Sequence, residues 1–524
     1  MTIKRLLLFG LTLLAILLSG LSLFGSWQKP QFQSSLELYQ TNIVLQAQAW
    51  QPEQSNDENL KLIQAAIIGE DPLDNATKQY LEARQSVQTN LDKAKAELTK
   101  QRQLYPPQTS LDVTVPTPPK PLPNIQTSEV IKEKQLQKSI SKLEKLLDEL
   151  DLQLGILQAK QGQTDKALKT WSQLQKQQVT ELEKTAIVLS GLWNNPPKLL
   201  PNAEQLIQKN LNGWFRSTAL IELYQLQQRP DALLAVQDAQ QQAATEAVFK
   251  LTIIGTIPTL TAFIGALLLF FLLGQRLVKG KDSVLAQNDD QRWSTPWNVE
   301  TILQVFVLGF FLMGQLFIPT LLSILPIPHL AGNARSEAFY VLVSYVLVAS
   351  GALSVLYFSI KRFFPLPENW FRFNIQGNWF WWGLGGYCTA LPIVVIVSLI
   401  NQQLWQGQGG SNPLLQLALE SKDGIALGIF FFTAAIAAPF FEEVLFRGFL
   451  LPSLTRYVPV WAAILASSIL FAAAHLSLSE ILPLSALGMV LGVVYTRSRN
   501  LLAPILLHSL WNSGTLLSLY LLGS

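Results

Sequence analysis

The sequence predicts an all-α, polytopic membrane protein: an N-terminal anchor, a polar helical domain and a helix bundle, with about nine spans in all. Three observations carry that fold class. Hydrophobic residues make up 49% of the 524 positions and charged residues only 14%, against roughly 25% charged in soluble domains. The mean hydropathy is +0.25. The apolar excess sits at the extreme N-terminus and from about residue 249 onward, in runs long enough to cross a bilayer. Net charge is only +3, which argues against a nucleic-acid partner. Cys388 is the one cysteine, so an intrachain disulfide, a cysteine zinc site and an iron–sulfur cluster are excluded.

The first element, residues 1–26, reads as a membrane anchor. Lys4 and Arg5 precede a 19-residue apolar run, Leu6 to Phe24. A cleaved signal would have a shorter apolar core and an A-x-A-like site, which is not seen. Residues 27–248 form a polar domain without a spanning segment. Within it, the prolines at 106, 107, 116, 118, 119, 121 and 123 predict an extended linker. Leu136, Ile140, Leu143, Leu147, Leu150, Leu154 and Leu157 then recur at spacings of three and four, which makes one apolar stripe on a helix. Gly155, Gly162, Ala167 and Trp171 follow with the small–large alternation of a helical hairpin, similar to a tetratricopeptide repeat. Leu220, Tyr224 and Asp231-Ala232-Leu233 read as a degenerate second copy, and an ordinary helical bundle fits equally well.

The hydrophobic half divides into spans at roughly 249–274, 299–325, 338–360, 379–400, 424–446, 459–475, 481–496 and 500–522. With Lys4 and Arg5 inside, the cytoplasmic loops carry Arg276, Lys279, Lys281, Arg292, Lys361, Arg362, Arg372, Arg456, Arg497 and Arg499, while the outer loops carry few basic residues, such as Arg335 and Lys422. That asymmetry follows the positive-inside rule and puts residues 27–248 and the C-terminus outside the cytoplasm. Trp293, Trp297, Trp379, Trp381 and Trp382 sit at span edges, as interfacial aromatics do.

Ionisable groups at membrane depth carry the functional signal, because they are expensive there. Between Gly424 and Ala474 the acids are Glu442 and Glu443, in Pro439-Phe-Phe-Glu442-Glu443-Val-Leu-Phe-Arg447. Glu443 and Arg447 are four apart and share a helix face. Glu442 points about 100° away, free to face a cavity. The bland alternative is that both acids only neutralise Arg447. His475 follows Phe471-Ala-Ala-Ala, and His508 and Asn512 are four apart on the last span. The third histidine is His329. A lone histidine in an apolar helix is more often a satisfied hydrogen-bonding residue. Two acids, two histidines and an asparagine on three spans within 71 positions point instead to one site. These groups suit hydrolysis of an amide: a carboxylate or imidazole takes a proton from water, and an imidazole N–H and an amide N–H face the oxyanion. Two histidines and a glutamate are equally a catalytic zinc ligand set, so a zinc cofactor at Glu442, His475 and His508 stands beside metal-free general-base catalysis.

The trio Glu442-Glu443-x-x-x-Arg447, Phe471-x-x-x-His475 and His508-x-x-x-Asn512 resembles the CPBP family, the CAAX protease and bacteriocin-processing (Abi) intramembrane proteases. The likeness covers about residues 376–524, with 249–375 as additional spans outside the family core. The resemblance implies that Glu442 and His475 activate water, that His508 and Asn512 form an oxyanion site, and that Glu443 and Arg447 organise the first-motif helix. It leaves the metal question open. It also implies a membrane-associated protein or peptide substrate met in the bilayer. Residues 27–248 lie outside the resemblance and would serve a protein partner or substrate recruitment. Two other readings are a non-catalytic scaffold or immunity-type protein and a proton-relay transporter, the latter without an inverted repeat to support it. Simple depth counting puts Glu442 near the inner end of its span and His475 near the outer end of the next. A break at Pro439 or a re-entrant segment over 440–456 would be needed to bring them together.

Overall fold

The computed structural model describes residues 3–27, 32–51, 68–104, 125–174, 180–324, 333–405, 407–421 and 423–523. The proline cluster expected to be a linker, and His329, lie outside the described residues. The chain is all-α, with no strand among the described residues. It forms two compact units: Leu36–Leu251, and Met1–Ser35 together with Thr252–Ser524.

The polar unit is built from α2 (Phe32–Ala47), α3 (Pro72–Leu104), α4 (Ile125–Lys160), α5 (Thr164–Leu174), α6 (Glu181–Trp193), α7 (Ala203–Asn210) and α8 (Gly213–Leu226). The start of α9 (Pro230–Lys279) completes it. Ile140, Leu150, Leu154 and Leu157 of the predicted stripe are buried along α4. The small–large alternation has a direct cause: a Cβ on Gly155 would lie 2.2 Å from the Trp171 ring nitrogen. Trp171 is fully buried and donates that N–H to the Leu152 carbonyl at 3.1 Å. A capping box between Thr180 and Glu183 starts α6.

The membrane unit contains α1 (Ile3–Ser26), the rest of α9, α10 (Val299–Ile324), α11 (Ala334–Ile360), α12 (Trp379–Trp405), α13 (Pro413–Glu420), α14 (Gly424–Leu454), α15 (Val460–Ala473), α16 (Ile481–Ser498) and α17 (Leu502–Gly523). Eight helices are long and apolar enough to cross a membrane, which makes this a multi-pass integral membrane protein. Exposed Leu260, Phe263, Ile264, Leu267, Phe270 and Phe271 along α9 suit lipid rather than water. The ninth expected span, α15, has only 14 residues. At about 1.5 Å per residue it is shorter than the roughly 30 Å hydrocarbon core. It stops at Ala473, so His475 stands on the turn beyond it.

Pro439 does not break its helix. α14 runs unbroken past the predicted end near residue 446, and it widens to π-helix at Thr433–Ala437 and Val444–Leu450. The Ala438 amide bonds the Thr433 carbonyl, five residues back. The wider turn accommodates the ring and missing donor of Pro439, which a regular α-turn would set against the carbonyl four residues earlier. No re-entrant loop is needed.

Candidate active site

The site grows from one close contact between helices. Gly488 and Gly492 of α16 face α15, where Cβ atoms on them would lie 2.9 Å from the Ser468 Cβ and 2.8 Å from the Ile464 Cγ2. This small-x-x-x-small spacing lets two backbones approach in lipid. The Gly488 carbonyl then accepts a 3.2 Å hydrogen bond from Arg447 Nη2 on α14.

Arg447 and Glu443 are both wholly buried, and Nη1 meets Oε1 at 2.8 Å. The predicted pairing on one helix face is therefore the observed one. The His508 Nδ1 lies 2.8 Å from the same Glu443 oxygen. One carboxylate oxygen thus accepts from an arginine on its own helix and an imidazole on α17. The second oxygen of Glu443 and the Arg447 Nε have no hydrogen-bond partner among the described residues.

Glu442, one residue earlier, is in different surroundings. Its side chain keeps 17% exposure, and its Oε2 is 3.9 Å from the His508 Nε2. Tyr345 on α11 donates its hydroxyl to the other oxygen at 3.3 Å. His508 therefore sits between the two adjacent carboxylates, bonded to the buried one and facing the accessible one. With Nδ1–H given to Glu443, its Nε2 carries a lone pair when the ring is neutral and donates only when the ring is doubly protonated.

His475 approaches from the turn after α15. Its Nδ1 is 3.0 Å from the Phe471 carbonyl. A carbonyl only accepts, so this nitrogen carries the proton and Nε2 is left as a base. Phe471 is buried at the centre, with ring centroids 5.1 Å from His475, 5.7 Å from His508 and 5.4 Å from Phe446. The Arg447 guanidinium lies 4.5 Å from its ring centroid. The two histidines and the first-motif helix thus share one aromatic partner. Asn512 donates its amide to the Ala434 carbonyl at 2.7 Å, in the first π stretch. A side-chain amide has two such hydrogens, so one remains for a ligand.

The zinc expectation has a geometric test. Among the described residues no group of three or more His, Cys, Asp or Glu side chains is placed to hold a metal ion. Glu442, His475 and His508 therefore do not fit one shared ion in this arrangement.

Sequence reasoning missed several groups here. Tyr345 carries no motif, and only packing brings α11 to Glu442. The Gly488-x-x-x-Gly492 spacing was a readable signal. Glu480 lies just past the window searched for acids, and its Oε1 accepts the Asn412 amide at 2.7 Å.

Residues 425–514 match the family model described as "Type II CAAX prenyl endopeptidase Rce1-like". The membrane-embedded CAAX protease MroQ of Staphylococcus aureus (strain USA300) is 28% identical over 137 residues, 25% of this chain and 54% of that protein. The YdiL protein of Bacillus subtilis (strain 168) is 26% identical over 132 residues, 25% of this chain and 53% of that one. An uncharacterized 24.3 kDa protein of Escherichia coli is 42% identical over 81 residues, 14% of this chain and 37% of the relative. The chain spans about half the length of the first two relatives. No solved structure matches it.

Proposed function

We propose that this chain, whose residues 425–514 belong to the CAAX protease family, is an intramembrane endopeptidase that cleaves a membrane-associated protein or peptide. The observation that carries the reading is the division of labour between adjacent acids. Glu443 is locked between Arg447 and His508 with no exposure, while Glu442 keeps access beside the same imidazole.

In this reading a water sits between Glu442 and His475. The Glu442 carboxylate or His475 Nε2 takes one proton, and the hydroxide oxygen adds to the peptide carbonyl carbon. His508, when doubly protonated, and the spare Asn512 hydrogen face the oxyanion. Collapse breaks the C–N bond, and the stored proton passes to the leaving amine. Tyr345 holds Glu442 by one oxygen and leaves the other for water. Glu443 and Arg447 fix the tautomer and orientation of His508 rather than react.

The test is Glu442→Gln in reconstituted protein, with a quenched fluorogenic peptide presented with and without a prenyl group. Cleavage should fall by at least about 100-fold, as for loss of a general base, with the melting temperature unchanged. Full activity in Glu442→Gln would sink the mechanism. In the metal-free form of this reading, chelator leaves the rate unchanged. Chelator-sensitive cleavage would instead favour a zinc site assembled from Glu442, His475 and His508. The buried Glu443–Arg447–His508 set also fits a non-catalytic scaffold. That reading gains if Glu442→Gln melts early and wild-type protein cleaves nothing. We further propose that residues 27–248 lie outside the cytoplasm and recruit substrate or a protein partner, on the support of the basic-loop asymmetry.

A further inference from the structure

We propose that the first span is a working part of the catalytic unit, and that Ser26 at its C-terminal end is a positioning residue for His475, an assignment that rests on the catalytic reading of His475 above. His475 stands on a turn, not on a helix. The next residue, Leu476, has φ +54°. That left-handed conformation disfavours a residue with a branched side chain and persists only where the surroundings over-determine it.

The surroundings do so with a set of hydrogen bonds just beyond His475. Ser477 Oγ and the Ser479 amide both donate to the Gly409 carbonyl, each at 3.2 Å. Ser479 Oγ donates to the Gly410 carbonyl. Asn401 donates its amide to the Ser479 carbonyl at 2.7 Å. Gly409 allows this approach, because it has φ +105° and a Cβ there would lie 2.8 Å from the Ser479 Cβ. The remaining bond comes from far away in sequence: the Leu478 amide donates to Ser26 Oγ at 3.1 Å.

Ser26 is placed for this and little else. It is 4% exposed, on a helix most of whose side chains face outward. Its hydroxyl donates to the Leu23 carbonyl at 2.7 Å, which turns a lone pair toward Leu478. Trp27 packs edge-on to Trp405 at 5.8 Å, beside the same segment. At the other end, Lys4 and Arg5 pair with Glu300 at 3.3 and 3.1 Å, and Leu8 and Ala15 pack on Val307. A helix that only tethers a domain to lipid needs none of these fixings.

The experiment uses full-length protein with isotope-labelled histidine in phosphatidylcholine nanodiscs, alongside the fluorogenic peptide assay. The chain has only three histidines, so the imidazole signals are assignable by substitution. Ser26→Ala should move the His475 signal, leave that of His508 in place, and lower kcat about three- to tenfold, as for one lost hydrogen bond. KM should stay within about twofold, because no substrate contact is removed. Ser26→Thr, which keeps the hydroxyl, should restore both readouts. Arg5→Ala loosens the far end of the span and should move neither. An unmoved His475 signal with unchanged kcat in Ser26→Ala would overturn the proposal. So would the same response to Arg5→Ala, which would mean general loosening. A moved His475 signal in a protein that never cleaves the peptide would retain Ser26 as the holder of the turn and discard the protease reading. Should Ser26→Ala fail to fold, Ser26→Cys, a similar size with a weak acceptor, gives the same comparison.

Discussion

Two arginine–carboxylate pairs in this molecule have the same chemistry and opposite surroundings. In the polar unit, Arg84 grips Asp151 with two nitrogens, and the side chains are 29% and 6% exposed. In the membrane unit, Arg447 grips Glu443 and neither has any exposure. Water can replace a lost partner in the first case. In the second, only protein and lipid are at hand, so a lost partner leaves a bare charge. The lesson is that the membrane pair matters less for the energy of its contact than for the penalty of breaking it. Such a pair makes a dependable frame for His508.

The comparison can be broken or sharpened by substitution. Arg447→Ala should have the largest effect, a loss of about 3–5 kcal/mol of stability, because Glu443 is left buried and unpaired. Replacing both residues, as Glu443→Leu with Arg447→Met, should recover much of that loss in a detergent melt while activity stays abolished. A double variant as unstable as the single one would refute the charge argument. Gly488→Ala comes next, at about 1–3 kcal/mol, since the new methyl meets buried Ser468. Infrared or hydrogen-exchange signals from Arg447 should change with it, because the Gly488 carbonyl must shift. Arg84→Ala should cost about 1 kcal/mol, read as faster amide exchange across α3 and α4.

The smallest effect is one of pH, and it arises only in the polar unit. Asp148 lines a cleft of 1280 Å³ with Glu144, Glu149 and Asp151. Partial burial, then these acids and Glu183, push its carboxyl up from 3.8 to about 6. The folded state therefore holds this proton more tightly than the unfolded chain does. The associated stability is present at pH 4 and is lost as pH rises through about 6. Asp148→Asn should slow amide exchange in α4 at pH 8 and do little at pH 4. An unchanged pH dependence would remove Asp148 as its source.

Much of this was legible in the sequence, for reasons that differ by region. The spans, the stripe on α4 and the pairing of Glu443 with Arg447 follow from periodicity, which is local. The convergence of Glu442, His475 and His508 rested on a motif resemblance, since straight-helix counting set Glu442 and His475 at opposite depths. Two things defeated that counting: a π-widened α14 with no break at Pro439, and an α15 that ends before its histidine. Ser26 and Tyr345 were invisible for another reason. Each touches the site from a helix with no motif, and a serine or tyrosine in an apolar run announces nothing until its partner is known.

A π stretch can also be read as a piece of history written in residue count. Seven residues, Val444–Leu450, wind in the wider form just after the two acids. Each wide turn holds one residue more than a regular one. Removing a single residue there would let α14 rewind, swinging everything after it by about 100° while leaving Glu442 and Glu443 where they are. Related chains aligned through this helix should therefore show their length changes as single-residue gaps on the C-terminal side of the acids. Between Glu443 and Arg447 the spacing has no such freedom.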